Sequence, residues 1–177
     1  SAYEAAAAAD PDSAPPHNNL GNLLSEAGRH TEALRHYERA LELDSGHFET
    51  LYNYAGTLLE LNRFADAAAV YDRALKLSPR DLDVRNGLIT AFSRSGNFSE
   101  AMGLAMETSD LYPDRFEPNF NAGVLLQQAG HDAHAVSYYE RALRINPAYL
   151  PGKLAVAKLL AGSADGKVRN PVRALAL

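Results

Sequence analysis

One feature constrains this chain more than any other: it repeats itself every 34 residues. Tyr37-Glu38-Arg39-Ala40-Leu41-Glu42-Leu43 returns as Tyr71-Asp72-Arg73-Ala74-Leu75-Lys76-Leu77, and two periods later as Tyr139-Glu140-Arg141-Ala142-Leu143-Arg144-Ile145. Leu24, Leu58, Phe92 and Leu126 share a second register, and Ala33, Ala67, Ala101 and Ala135 a third. The frame is 14–47, 48–81, 82–115 and 116–149. A period of this length belongs to arrays of small supersecondary units, none of which can bury its apolar face alone.

Within a unit the apolar spacing is helical. Leu51, Tyr54, Ala55, Leu58 and Leu59 fall at i, i+3, i+4, i+7 and i+8, which is one stripe on a helix. The stripe stops at Gly28, Asn62, Gly96 and Gly130, residues that accept the left-handed conformation just past a helix end. A second helix is predicted to open at Thr31-Glu32 or Ser99-Glu100 and to end before Pro79, Pro113 and Pro147. Small residues at Gly21, Ala55 and Gly123 let the two helices approach, and Tyr37, Tyr71 and Tyr139 fill the space between pairs.

These residues resemble the tetratricopeptide repeat, a 34-residue helix–turn–helix with Leu-Gly, Ala, Tyr and Pro at fixed places. The resemblance covers 14–149 as four repeats. It implies an all-α, right-handed superhelical solenoid of antiparallel helix pairs. Residues 1–13 look like the second helix of a preceding repeat, and 150–162 like a partial repeat or capping helix. Residues 163–177 read as a turn and the start of a further helix, similar to a region that follows repeats in many bacterial members. The chain is accordingly expected to be an excised fragment. The third repeat departs from the pattern: Ala105 and Thr108 replace Tyr and Ala, and Gly103 costs about 1 kcal/mol inside a helix. Its second helix is expected to be the loosest.

The resemblance also implies a concave groove lined by the first helices. The positions it assigns to the groove carry Asn18, Asn19 and Asn22 in the first repeat, and Glu49, Tyr52 and Asn53 in the second. Asn86, Thr90 and Arg94 follow in the third, and Glu117, Phe120, Asn121 and Gln128 in the fourth. Asn19, Asn53 and Asn121 share one repeat position, interrupted by Gly87. This row resembles the asparagine ladder of O-GlcNAc transferase repeats, where side-chain amides can bind a peptide main chain of any sequence. The same amides can equally tie neighbouring repeats together. A chaperone-type carboxylate clamp is not expected, because Asn18, Asp83 and Gly87 stand where cations are needed.

The groove acids Glu26, Glu49, Glu60, Asp83 and Glu117 outnumber Arg94 and Lys158. A protein or peptide partner should therefore be neutral to basic, with Tyr52, Phe120 and Leu154 as apolar anchors. The net charge of −5 argues against nucleic acid. There is no cysteine, no apolar run long enough for a membrane span, and no phosphate loop or nucleophile motif. His131 and His134 have a spacing that can share a metal, but they fall at a polar turn where solvated histidines are expected. His17 should pack against the preceding repeat. Asn97-Phe98-Ser99 is formally a glycosylation sequon but reads better as a repeat turn. The expectation is a non-enzymatic, cofactor-free and metal-free scaffold that binds a peptide segment of a partner. Two alternatives stand beside it: the recognition arm of a larger enzyme such as a glycosyltransferase, or a self-assembly module using its open stack ends.

Overall fold

A computed structural model describes residue 10 and residues 12–174 of the chain. Among the described residues there are ten helices and no strand. They are α1 (Ala14–Glu26), α2 (His30–Leu43), α3 (Phe48–Glu60), α4 (Phe64–Leu77), α5 (Leu82–Arg94), α6 (Phe98–Leu111), α7 (Phe116–Gln128), α8 (Asp132–Ile145), α9 (Leu150–Gly162) and α10 (Pro171–Ala174). The chain forms two compact units, one ending at Gly96 and the other beginning at Asn97. The first holds α1–α5 and the second α6–α10. Within each unit, helices adjacent in sequence pack on one another.

The turns follow from the punctuation in the sequence. Gly28, Asn62, Gly96 and Gly130 have φ of 74°, 58°, 86° and 78°. At Gly28 the next N–H, of Arg29, reaches back to Leu24 O at 2.8 Å, while Gly28 N–H donates to Ser25 O at 2.9 Å. This is the Schellman closure, and it recurs at Asn62–Arg63 and Gly130–His131. The second helices therefore begin one residue earlier than predicted, at His30 and Phe98. The residues before them, Arg29 and Asn97, make no side-chain cap, which corrects the expected polar starts. The residue that closes one helix also opens the next, so the turn leaves no separate capping position. The first-turn acids are used instead: Arg29 grips Glu32 through two bonds of 2.8 and 2.7 Å, and Arg63 holds Asp66 at 2.7 Å.

Asn62 is the one non-glycine residue with positive φ among the described residues. Asn62→Gly should raise the unfolding midpoint slightly by removing the β-carbon, whereas Asn62→Ala should lower stability by about 1 kcal/mol, because it keeps the β-carbon and loses the short polar side chain that makes the left-handed region tolerable to asparagine. Urea unfolding of the two variants checks the order.

Small residues set the helix spacing. Ala33, Ala67, Ala101 and Ala135 are all 0% exposed. A β-carbon added at Gly21 would lie 2.6 Å from the Tyr37 ring, and one at Gly123 2.6 Å from the Tyr139 ring. The second repeat solves the problem differently. It has Ala55 where its neighbour has Gly21, and the Tyr71 ring lies instead against Gly87 of the following first helix, 2.4 Å from a β-carbon placed there. Gly87 is thus needed by packing, which is a physical reason for the gap in the asparagine row.

The degenerate second helix of the third repeat, α6, runs its full 14 residues. Its Thr108 and Ser109 are 1% and 0% exposed. Thr108 Oγ1 donates to Leu104 O at 2.6 Å, and Ser109 Oγ donates to Asn119 Oδ1 at 3.0 Å. Asn119, 1% exposed, donates in turn to Arg115 O at 2.9 Å. After α9 the chain turns at Asp165–Gly166, and Asn170 caps α10 by accepting from Arg173 N–H at 3.0 Å. The helix expected before residue 13, and the continuation past residue 174, lie outside the described residues save for the few preceding α1, where Asp12 holds Arg39 at 3.0 Å.

Candidate functional site

The repeat tyrosines point to the site by their hydrogen bonds. Tyr37 Oη donates to Asn22 Oδ1 at 2.8 Å, and Tyr139 Oη to Gln127 Oε1 at 2.7 Å. Those acceptors stand at the ninth and twelfth positions of their repeats, where the second repeat has Gly56 and Leu59. Tyr71 is thereby left with no side-chain acceptor. It is 4% exposed, and a β-carbon at Gly56 would sit 3.7 Å from its hydroxyl. The space opens as a cavity of about 320 Å³ in the first unit.

The cavity is built by α1–α4. Its polar lining centres on a pair of amides: Asn53 Nδ2 donates to Asn22 Oδ1 at 2.9 Å. Asn22 Oδ1 thus accepts two bonds, while the Asn22 amide nitrogen and the Asn53 carbonyl oxygen have no protein partner among the described residues. Ser25 and Thr57 hydroxyls meet beside them at 3.0 Å, with Thr57 donating to Asn53 O at 3.0 Å. Tyr52 and Tyr71 stand edge to face with ring centroids 6.1 Å apart, and the exposed Glu26 and Glu60 complete the lining.

The electrostatics follow from this arrangement. Burial, aided by Tyr52, pushes the Tyr71 phenol up to about 12. Burial and then the carboxylates of Asp83 and Asp81 push Tyr52 up as well. Both remain neutral hydroxyls at physiological pH and serve as donors and acceptors, never as anions. Gly56 needs no positive φ and meets no ring, so Gly56→Ala should raise stability by about 0.5–1 kcal/mol through helix propensity alone. Thermal unfolding measures it.

The other sequence candidates are placed unevenly. Asn18 is 7% exposed and accepts from Thr50 Oγ1 at 3.1 Å, so it joins α1 to α3 rather than facing solvent. Asn19 is exposed and does not pair with Asn53; Asn22, three residues on, does. Glu49 lies 3.6 Å from His47. Asn86 is half-buried, and Thr90 donates to its backbone oxygen at 2.9 Å. Arg94 stacks on the Phe64 ring, 4.8 Å from its centre. In the second unit Phe120 is half-buried against Tyr139 and Tyr149, at 5.3 and 5.0 Å. Asn121 is half-buried beside it in sequence, and Glu117 approaches Arg115 at 3.5 Å. Gln128 lines a separate apolar cavity of about 340 Å³ with Phe98, Leu125 and Ala129. Leu154 is 55% exposed.

The sequence assigns Tyr37 and Tyr71 to packing alone and does not single out Thr57; Ser25, Glu26 and Glu60 fall at groove positions, with Gly56 a gap among them. The signal that would have found the site is the loss of both acceptor positions, at Gly56 and Leu59, opposite a tyrosine. His17 also reads differently: it stacks on His36 of its own repeat, with ring centres 5.6 Å apart and Nδ1 atoms 3.3 Å apart. His131 and His134 are exposed at the turn with ring centres 6.4 Å apart, and no cluster of three metal-ligating side chains occurs among the described residues.

Helix pairs of this length, closed by these turns and packed through glycine against tyrosine, define a helical-repeat protein. Tetratricopeptide-repeat family models match residues 1–48 and 18–81, 58–122, and 116–149. The chain belongs to the tetratricopeptide-repeat family. Its fold is similar to that of YrrB, described as a TPR protein with an unusual peptide-binding site, at 22% identity and a TM-score of 0.74, covering 89% of this chain and 81% of that one. It is similar also to MamA, at 17% identity and a TM-score of 0.79, covering 92% and 86%. A UDP-N-acetylglucosamine–peptide N-acetylglucosaminyltransferase of Giardia intestinalis is 36% identical over 56 residues, or 32% of this chain. The match spans 4% of that enzyme's length. No helix among the described residues is long and apolar enough to cross a membrane.

Proposed function

We propose that the chain is a non-catalytic peptide-binding module, and that the main chain of its ligand lies on Asn22 and Asn53. The observation that carries this reading is the amide pair itself. Linked head to tail, the two side chains keep one donor and one acceptor unspent beside an open cavity. A peptide group offers the complementary acceptor and donor, whatever side chains it bears. YrrB, which shares the fold, is described as having a peptide-binding site. Tyr52, 37% exposed, supplies an apolar surface at the same place. The acids Glu26, Glu49, Glu60 and Asp83 favour a neutral to basic partner.

A peptide-array screen tests the reading. Asn53→Ala should weaken captured peptides about fivefold to tenfold, the worth of one or two hydrogen bonds, with helical content unchanged. Unchanged binding by the variant would remove the amide pair from the site.

A second reading rests on the 56-residue likeness to the Giardia enzyme. The same groove would then hold peptide substrates for a catalytic domain carried elsewhere. It predicts that captured peptides are acceptors for sugar transfer by such an enzyme, whereas this chain alone transfers none.

A further inference from the structure

A main chain resting on Asn22 and Asn53 leaves the deeper part of the cavity, below Gly56, to be filled by a side chain. Three observations say what kind. The Tyr71 hydroxyl, which has no partner among the described residues, opens on the cavity although the residue as a whole is 4% exposed. The aromatic side of the lining is the edge-to-face pair of Tyr52 and Tyr71 at 6.1 Å, a surface on which methylene chains pack. The exposed lining is acidic: Glu26 and Glu60 stand one repeat apart, and neither has an ion-pair partner among the described residues.

An apolar side chain here would bury the Tyr71 hydroxyl without a hydrogen bond. An acidic one would meet two like charges. A guanidinium is a planar fork that wants coplanar acceptors, whereas these acceptors are split between a phenol on one helix and exposed carboxylates on two others. A compact ammonium with three rotatable donors suits that spread. Resting on the peptide-binding reading, we infer that this pocket receives a lysine side chain of the bound peptide, its stem lying along the paired tyrosines and its ammonium shared by the Tyr71 hydroxyl and the Glu26 and Glu60 carboxylates.

Three peptide libraries, with lysine, Nε-acetyl-lysine or norleucine at a fixed central position, test this against the whole chain. The lysine library should bind about tenfold more tightly than the other two, the order expected for a desolvated charge-assisted contact. Gly56→Asn would place in the second repeat the amide that satisfies Tyr37 in the first. It should erase the lysine preference while helical content is kept, as it is with Asn22 at that position. Asn53→Ala should weaken all three libraries alike. Equal binding of the three by the native chain overturns the lysine assignment and leaves the groove reading intact. Failure of all three to bind overturns both.

Discussion

Gly87→Ala is expected to cost about 2–3 kcal/mol, an unusually large penalty for adding one methyl group. The β-carbon would lie 2.4, 2.7 and 2.8 Å from three atoms of the Tyr71 ring, and that ring is 4% exposed with α4 behind it. Either the ring or α5 must move. The penalty should fall when Tyr71 is shortened to leucine in the same chain, because the two substitutions then act on one volume. Urea unfolding of the two single variants and the double variant gives the coupling directly. A cost below about 0.5 kcal/mol for Gly87→Ala would mean that the ring is free to swing, contrary to its packing. The contrast with Gly56→Ala, expected to stabilise, sharpens the test: two glycines of adjacent first helices, with opposite signs.

Asn119→Leu is the second large effect, at about 2–4 kcal/mol. The side chain is nearly isosteric, so volume is not the cause. Asn119 joins Ser109 to the backbone oxygen of Arg115, bridging α6 to the start of α7 in a place with almost no solvent. Leucine strands a buried hydroxyl and withdraws the amide from a carbonyl. Ser109→Ala in the same chain removes one of the stranded groups and should recover part of the loss. Hydrogen exchange of the α6 and α7 amides locates the damage. Protection unchanged from the native chain would show that water replaces the amide without cost.

The fold was legible because its signals are local and repeated. Apolar stripes and glycine or asparagine at each turn state the same instruction four times over, proline after three of the second helices adds to it, and the helices follow within a residue or so. In the third repeat, where Ala105 and Thr108 depart from the pattern, α6 keeps its register and buries Thr108 and Ser109 with hydrogen bonds.

The site was legible only in part, for a different reason. Repeat position says which face a residue occupies but not what its side chain spends itself on. Asn18 and Asn22 look alike in the sequence; one is consumed by Thr50 and the other keeps a donor to offer. Asn53 pairs across repeats with Asn22 rather than with Asn19, its equivalent in register. Nor could the period reveal Tyr71, whose interest lies in what its repeat lacks.

The exchange between Gly21 and Gly87 has a consequence for how such a chain grows. A repeat with glycine at its eighth position houses its own tyrosine and tolerates asparagine at the sixth position of its successor, as Gly21, Tyr37 and Asn53 show. A repeat with alanine there, like that of Ala55, exports its tyrosine and requires glycine next, which Gly87 provides. The repeats therefore obey a grammar of order. Copying residues 48–81 in tandem would set an asparagine against an exported ring, while copying 14–47 would not. Shuffling by gene duplication is open to some neighbours and closed to others.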